Sequence, residues 1–290
     1  MDWLFNFPFT VNLDTAAIDE GVRGFAAANS VFFGGIKSLL TSLVSALYWM
    51  LSHIPWFVLI GLVFVVSWKA HRRLRSGILY SILMCVIGIF GLWSLMNLTL
   101  SIVLAGVVIA LLIGLPVGVL ISGSERANRI VRPILDMMQT MPVFVYLIPA
   151  VIFFGMGSAS AVIATVIYSM VPAIRLTSLG IRQVDAEVVE AARSFGSTRA
   201  QLLFKVQVPQ ALPTIMTGIN QTLMMAMSMV VTCSMIGARG LGNEVLISVN
   251  RIEISRGFIA GSSVVILAII LDRLTQGWFS KKEESGGEIR

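Results

Sequence analysis

The sequence predicts an all-α polytopic membrane protein, and three observations carry that expectation. Mean hydropathy is +0.89 with 12% charged residues, so the polar groups are too few to cover the apolar surface and lipid must do it. Ser76–Ser124, Met137–Ile174 and Val206–Ala238 are charge-free runs of 49, 38 and 33 residues. A bilayer is crossed by about 20 apolar helical residues, so the first two runs hold two spans each and the third one long span. Finally, no stretch alternates apolar and polar over ten residues as an outer-membrane barrel strand does.

Taken in order, residues 1–52 form an external N-terminal segment. Asp2, Asp14, Asp19 and Glu20 make its start acidic, unlike the basic start of a signal peptide. Val31–Leu51 mixes apolar residues with Ser, Thr and Lys and ends near Tyr48 and Trp49, which fits a helix lying in the outer interface; an additional span is the competing reading. Seven spans follow, at roughly 53–70, 77–95, 98–121, 134–154, 159–178, 209–236 and 256–275. The first two form a hairpin over 53–97, with a reversal expected at Trp93–Asn97. Gly155–Ser158 divides the second run. Cys85 and Cys233 fall inside spans and read as small apolar side chains without a disulfide.

Lys and Arg set the orientation. Lys69–Arg75, Glu125–Asp136, Arg175–Lys205 and the tail 277–290 with Arg273 hold 16 of the 21 basic residues. The positive-inside rule makes that side cytoplasmic, with the N-terminus out and the C-terminus in. The net charge of +6 is thus a topology signal, and no nucleic-acid partner is expected.

Several chemistries lack their parts. The chain has no GxxxxGK[ST] phosphate loop, no HExxH, no CxxC and no serine elbow. Catalytic residues, bound metal and cofactor are therefore expected to be none. Ionisable groups sit at span borders, as at Asp136, Arg175 and Asp272. An ion-driven carrier usually places a carboxylate at mid-membrane, so the energy for transport is expected to enter elsewhere.

Where it enters is suggested by Gln183–Lys205. This polar stretch reads as two short helices joined at Gly196. Val188, Val189, Ala191, Ala192 and Phe195 supply one apolar face, and Leu202, Leu203, Phe204 and Val206 the other. Pro209 suits the first turn of the next span. Glu190-Ala191-Ala192, three residues, Gly196, nine residues, then Val206-x-Val208-Pro209 resembles the EAA loop of ABC importer permeases, with Val in place of the family's Ile and Leu. The resemblance implies the ABC importer permease fold, with a permease core over 98–276 and an ATPase-coupling loop over 180–209. It also implies two ABC ATPase subunits carrying ATP and Mg, a second copy of the permease, and residence in a bacterial plasma (inner) membrane.

Leu135–Gly155, Gly218–Val231 and Ile266–Gln276 further resemble glycine betaine/proline-type osmoprotectant permeases. An external binding protein or lipoprotein is then implied as a separate chain. The implied cargo is glycine betaine, followed by choline, carnitine or proline betaine. A permease for another small solute, such as an amino acid, is the alternative; a stand-alone secondary carrier is a distant one.

For the translocation path, Asn220, Gln221 and Thr222 place polar groups in lipid, which is unfavourable unless they face protein or a cavity. Met224, Met225 and Met227 follow as flexible, polarizable lining. Phe144 and Tyr146 can offer cation–π contact to a trimethylammonium group. Helix packing is the competing role for each. Pro116, Pro142, Pro149 and Pro172 invite kinks, and Gly237–Gly242 reads as an outer reversal.

Overall fold

The computed structural model describes residues 15–71 and 74–287, and these are helical with no strand among them. The acidic residues Asp2 and Asp14, the basic pair Arg72–Arg73 and residues 288–290 lie outside the described part. Thirteen α-helices follow in chain order. They are α1 (Thr15–Ala28), α2 (Ser30–His53), α3 (Trp56–His71), α4 (Leu74–Ile89), α5 (Trp93–Ser122), α6 (Glu125–Thr140) and α7 (Phe144–Phe154). The second half holds α8 (Ser158–Arg182), α9 (Ala186–Ser194), α10 (Arg199–Leu202), α11 (Val208–Ser234), α12 (Leu241–Arg251) and α13 (Ile254–Gly287).

The core is a three-helix layer of α5, α8 and α11, drawn together by small residues. A Cβ on Gly106 would lie 2.8 Å from Thr165, on Gly114 2.9 Å from Ala173, and on Gly118 2.7 Å from Thr177. The paired numbers rise together, so α5 and α8 run parallel. Against α11 the order reverses, with Gly180 meeting Thr214 and Gly218 meeting Pro172 and Leu176. In a membrane, where lipid tails are as apolar as leucine, such close backbone approach supplies much of the packing energy. Ala110, Ala161 and Ala164 are fully buried along the same layer.

Four features depart from the expected spans. The reversal before α5 lies at Phe90–Leu92 rather than Trp93–Asn97. Gly91 takes a left-handed φ of +71°, and α5 is one continuous helix from Trp93 in which Asn97 is buried. α3 and α4 are 16 residues each, shorter than a typical span.

Residues 134–154 are not one straight span. α6 and α7 meet at 95°, because Pro142 holds Met141 extended (ψ 134°) and ends the helix before it. Ala127, Val131, Leu135 and Met138 seat α6 against Val171 and Ile174 in the second half of α8, while Arg126, Arg129 and Arg132 stay exposed.

Finally, the Gly237–Gly242 turn leads into α12, an element not expected from the sequence. Leu241 N–H donates to Thr99 Oγ1 at 2.8 Å. Arg256 ties α12 to the start of α13, 2.6 Å from Glu244 and 3.1 Å from Glu253.

Among the described residues, five helices can cross a membrane by length and composition, or six with the bent α6–α7 pair as one. α2 is among them. Phe33 at its start stacks on Phe153 with ring centroids 4.8 Å apart, Leu40 and Val44 join the core cluster of α5 and α8, and Ser45, Tyr48, Trp49 and Ser52 border a cavity with Leu98, Gly157 and Ser158. Cys85 and Cys233 are both free, and Cys233 is buried.

Candidate functional site: the α8–α11 connection

Each piece of the Gln183–Gln207 connection is fixed by its local sequence. Asp185 caps α9, its carboxylate accepting from Glu187 N–H at 2.9 Å, a type of bond worth about 1 kcal/mol. α9 ends where Ser197 N–H reaches back to Ala192 O and Gly196 takes φ +79°. Nothing lies within 4 Å of a Cβ placed there, so glycine is required by the backbone and not by crowding. Thr198 and Gln201 then close a reciprocal capping box. A π-helical turn, Leu203–Gln207, carries the chain into α11 without a break, and Pro209 occupies the first turn of α11.

This connection has an anchored side and an open side. Leu202 is buried. Leu203 and Val208 pack with Ile181, Ala211 and Ile215 where α8 ends and α11 begins. Arg182 pairs with Glu125 at 3.5 Å and Arg175 pairs with Asp136, which joins α8 to α6. On the open side α9 buries none of its residues. Phe195 is 92% exposed and Phe204 65%, with Glu190, Ala191 and Arg193 exposed beside them. A rigid, capped helix pair that presents two bare phenylalanines is built to meet another surface.

The residues considered for a path fall on different faces of α11. Pro213, Thr217, Gln221, Met224, Ser228 and Met235 are exposed along one helical ridge. Asn220 points elsewhere, bonding Asp272 at 2.8 Å and accepting from Thr275 Oγ1 at 2.9 Å on α13. Thr222 and Met227 are buried, and Met225 is half-buried. Phe144 is exposed at the start of α7, whereas Tyr146 is buried and its hydroxyl donates to Met138 O. Gln221 and Met224 thus share a face with Thr217 and Ser228, which the sequence reading passed over. Their spacing of four, three and four residues was a legible signal.

The architecture is a fold found in solved ABC transporters. A chain in a structure described as an inward-facing MetNI methionine ABC transporter superposes with a TM-score of 0.55 at 24% identity, over 64% of this chain and 92% of that one. A chain from an amino acid ABC transporter superposes at 0.53 and 22% identity, over 66% and 91%.

Residues 106–283 match the family described as binding-protein-dependent transport system inner membrane component, and the chain belongs to that family. It is a transport subunit of the inner membrane rather than an enzyme, and the family implies ATPase and substrate-binding partners. Three relatives are close. The glycine betaine/carnitine transport permease protein GbuB of Listeria monocytogenes is 48% identical over 92% of this chain and 95% of its own length. The glycine betaine transport system permease protein OpuAB of Bacillus subtilis is 46% identical over 93% and 95%. The glycine betaine/proline betaine transport system permease protein ProW of Escherichia coli is 42% identical over 89% and 73%.

Proposed function

We propose that this chain is the membrane subunit of an ATP-driven importer of compatible solutes, with glycine betaine as first substrate and carnitine or proline betaine as further ones. The cargo is inferred from the three relatives, whose names carry glycine betaine and which align along nearly the whole of this chain. The coupling role is carried by one observation, the capped and exposed α9–Gly196–α10 unit, joined to α8 through Gln183–Asp185 and to α11 by continuous helix. Glu190, Ala191, Ala192, Gly196, Val206, Val208 and Pro209 shape or flank that unit.

In this reading two copies pair with two ATPase subunits, and an external binding protein delivers the solute. ATP and Mg are held on the ATPases, and this chain needs no cofactor of its own. Closure of the ATPases displaces the α9–α10 unit on the cytoplasmic side. That displacement turns α8 and α11 as packed bodies and opens a path outward along the exposed ridge of α11. Gln221 and Met224 line it with Thr217 and Ser228, giving weak polar and polarizable contacts that let a compact zwitterion leave again. Asn220 ties α11 to α13, and Thr222 is buried in the helix packing.

The test is ATP-dependent uptake of radiolabelled glycine betaine into proteoliposomes that hold the chain with its ATPase and binding protein. Wild type is compared with Gly196→Asp. Loss of uptake with intact complex assembly is expected. Uptake indifferent to ATP or to the substitution would overturn the coupling role, and selective uptake of another solute would overturn the cargo.

A further inference from the structure

The described residues line an open-mouthed cavity of about 470 Å³ between α2, the starts of α5 and α8 and the turn that follows α11. Its lining combines two kinds of chemistry. Ser45, Tyr48, Trp49 and Ser52 project from one face of α2, and Ser158 and Arg239 close the other side. Trp49 is held in place by His53, whose ring lies 4.3 Å away and whose Nδ1 is 2.8 Å from the Trp49 carbonyl. Arg239 has no ion pair or hydrogen bond among the described residues, and it is exposed in the turn between α11 and α12.

A guanidinium without a partner among the described residues, two aromatic side chains and three serines thus border one cavity. The rings attract a quaternary ammonium through their π-faces, and the guanidinium forks onto a carboxylate. Neither half alone suits a simple ion. A choline-like cation would meet the Arg239 charge, and an inorganic anion would gain nothing from Trp49. A small zwitterion with the two charges separated by one or two carbons satisfies both.

We infer that this cavity is a low-affinity external subsite for a zwitterionic quaternary ammonium solute, with the carboxylate at Arg239 and the methylated nitrogen against Tyr48 and Trp49. The inference rests on the cargo proposed above and adds a binding position on the permease itself, before the path.

The test uses the permease–ATPase complex in nanodiscs without binding protein, with equilibrium binding of radiolabelled glycine betaine, choline and glycine. Uptake by the full system with binding protein is measured in parallel. Saturable glycine betaine binding is expected, weakened at least fivefold by Trp49→Ala and by Arg239→Gln and retained in Trp49→Phe. Choline binding should be unchanged or tighter in Arg239→Gln, because the repelling charge is gone, and glycine should bind far more weakly than its trimethylated form. Normal glycine betaine uptake without saturable binding in the nanodiscs, or binding indifferent to both substitutions, would overturn the subsite alone. Absence of both uptake and binding would overturn the cargo and the subsite together.

Discussion

Asn220 and Asp272 are hydrogen-bonded across the α11–α13 contact, the amide nitrogen 2.8 Å from the carboxylate. Thr275 and Gln276 complete the same cluster. A polar residue in an apolar helix is therefore satisfied within the chain, as the low dielectric requires. Asn220→Leu leaves the carboxylate short of a donor, so a loss of about 1–3 kcal/mol is expected. It should show as a lower unfolding temperature of the solubilised complex, with little change in the KM for uptake. A shifted KM at unchanged stability would place Asn220 in the path instead.

The ridge of α11 should behave in the opposite way. Met224 is 39% exposed and Met227 only 3%. Met227→Ala should cost about 2–5 kcal/mol through the cavity it leaves. Met224→Ala should leave thermal stability nearly unchanged and alter the uptake rate. Melting curves and initial rates on the two variants separate these outcomes.

Glycine spacing along α5 gives a packing prediction with its own control. Gly118→Val drives a branched side chain into Thr177 and the Ile174 carbonyl, at 2.7 and 2.8 Å from the first carbon alone. Membrane yield and monodispersity in detergent should collapse. At Gly61 nothing lies within 4 Å of a Cβ, and Gly61→Ala should express like wild type.

Phe195 supplies a prediction about association. Its 92% exposure means that Phe195→Ala removes almost no internal packing. If the side chain anchors the ATPase, affinity for that subunit should fall by about tenfold or more, the range of a buried aromatic anchor. Titration of the ATPase subunit against permease in nanodiscs measures it, and unchanged affinity would move the anchor to another part of the loop.

The α8–α11 connection was legible because its punctuation is local. Gly196 and Pro209, the two signals named from the sequence, act through their own backbone, and the caps at Asp185 and Thr198, not named from it, bond only to near neighbours. The α6–α7 bend was less so. Pro142 was noted as a kink, but a 95° turn depends on Ala127, Val131 and Leu135 finding a seat on α8, a tertiary event. α12 was missed because the glycines before it drew attention to the turn, and its first contact is to Thr99, more than a hundred residues away. On α11 the sequence showed which residues were polar but not which face lay open. That depended on Asp272 and Thr275 of α13 claiming Asn220.

The π-helical turn Leu203–Gln207 has a geometric consequence for the chain's tolerance of change. Both ends of the turn are continuous helix, so no loop lies between the Thr198 cap and the ridge of α11 to absorb a change in length. A π turn holds one residue more than an α turn, so deleting one residue there would let the turn close as α-helix with little rotation of its two sides. Inserting a residue would instead turn everything upstream against everything downstream by about 100°, swinging Leu202 out of its seat or the ridge into α13. The azimuth between docking surface and transport face should therefore survive the loss of one residue in this turn far better than the gain of one.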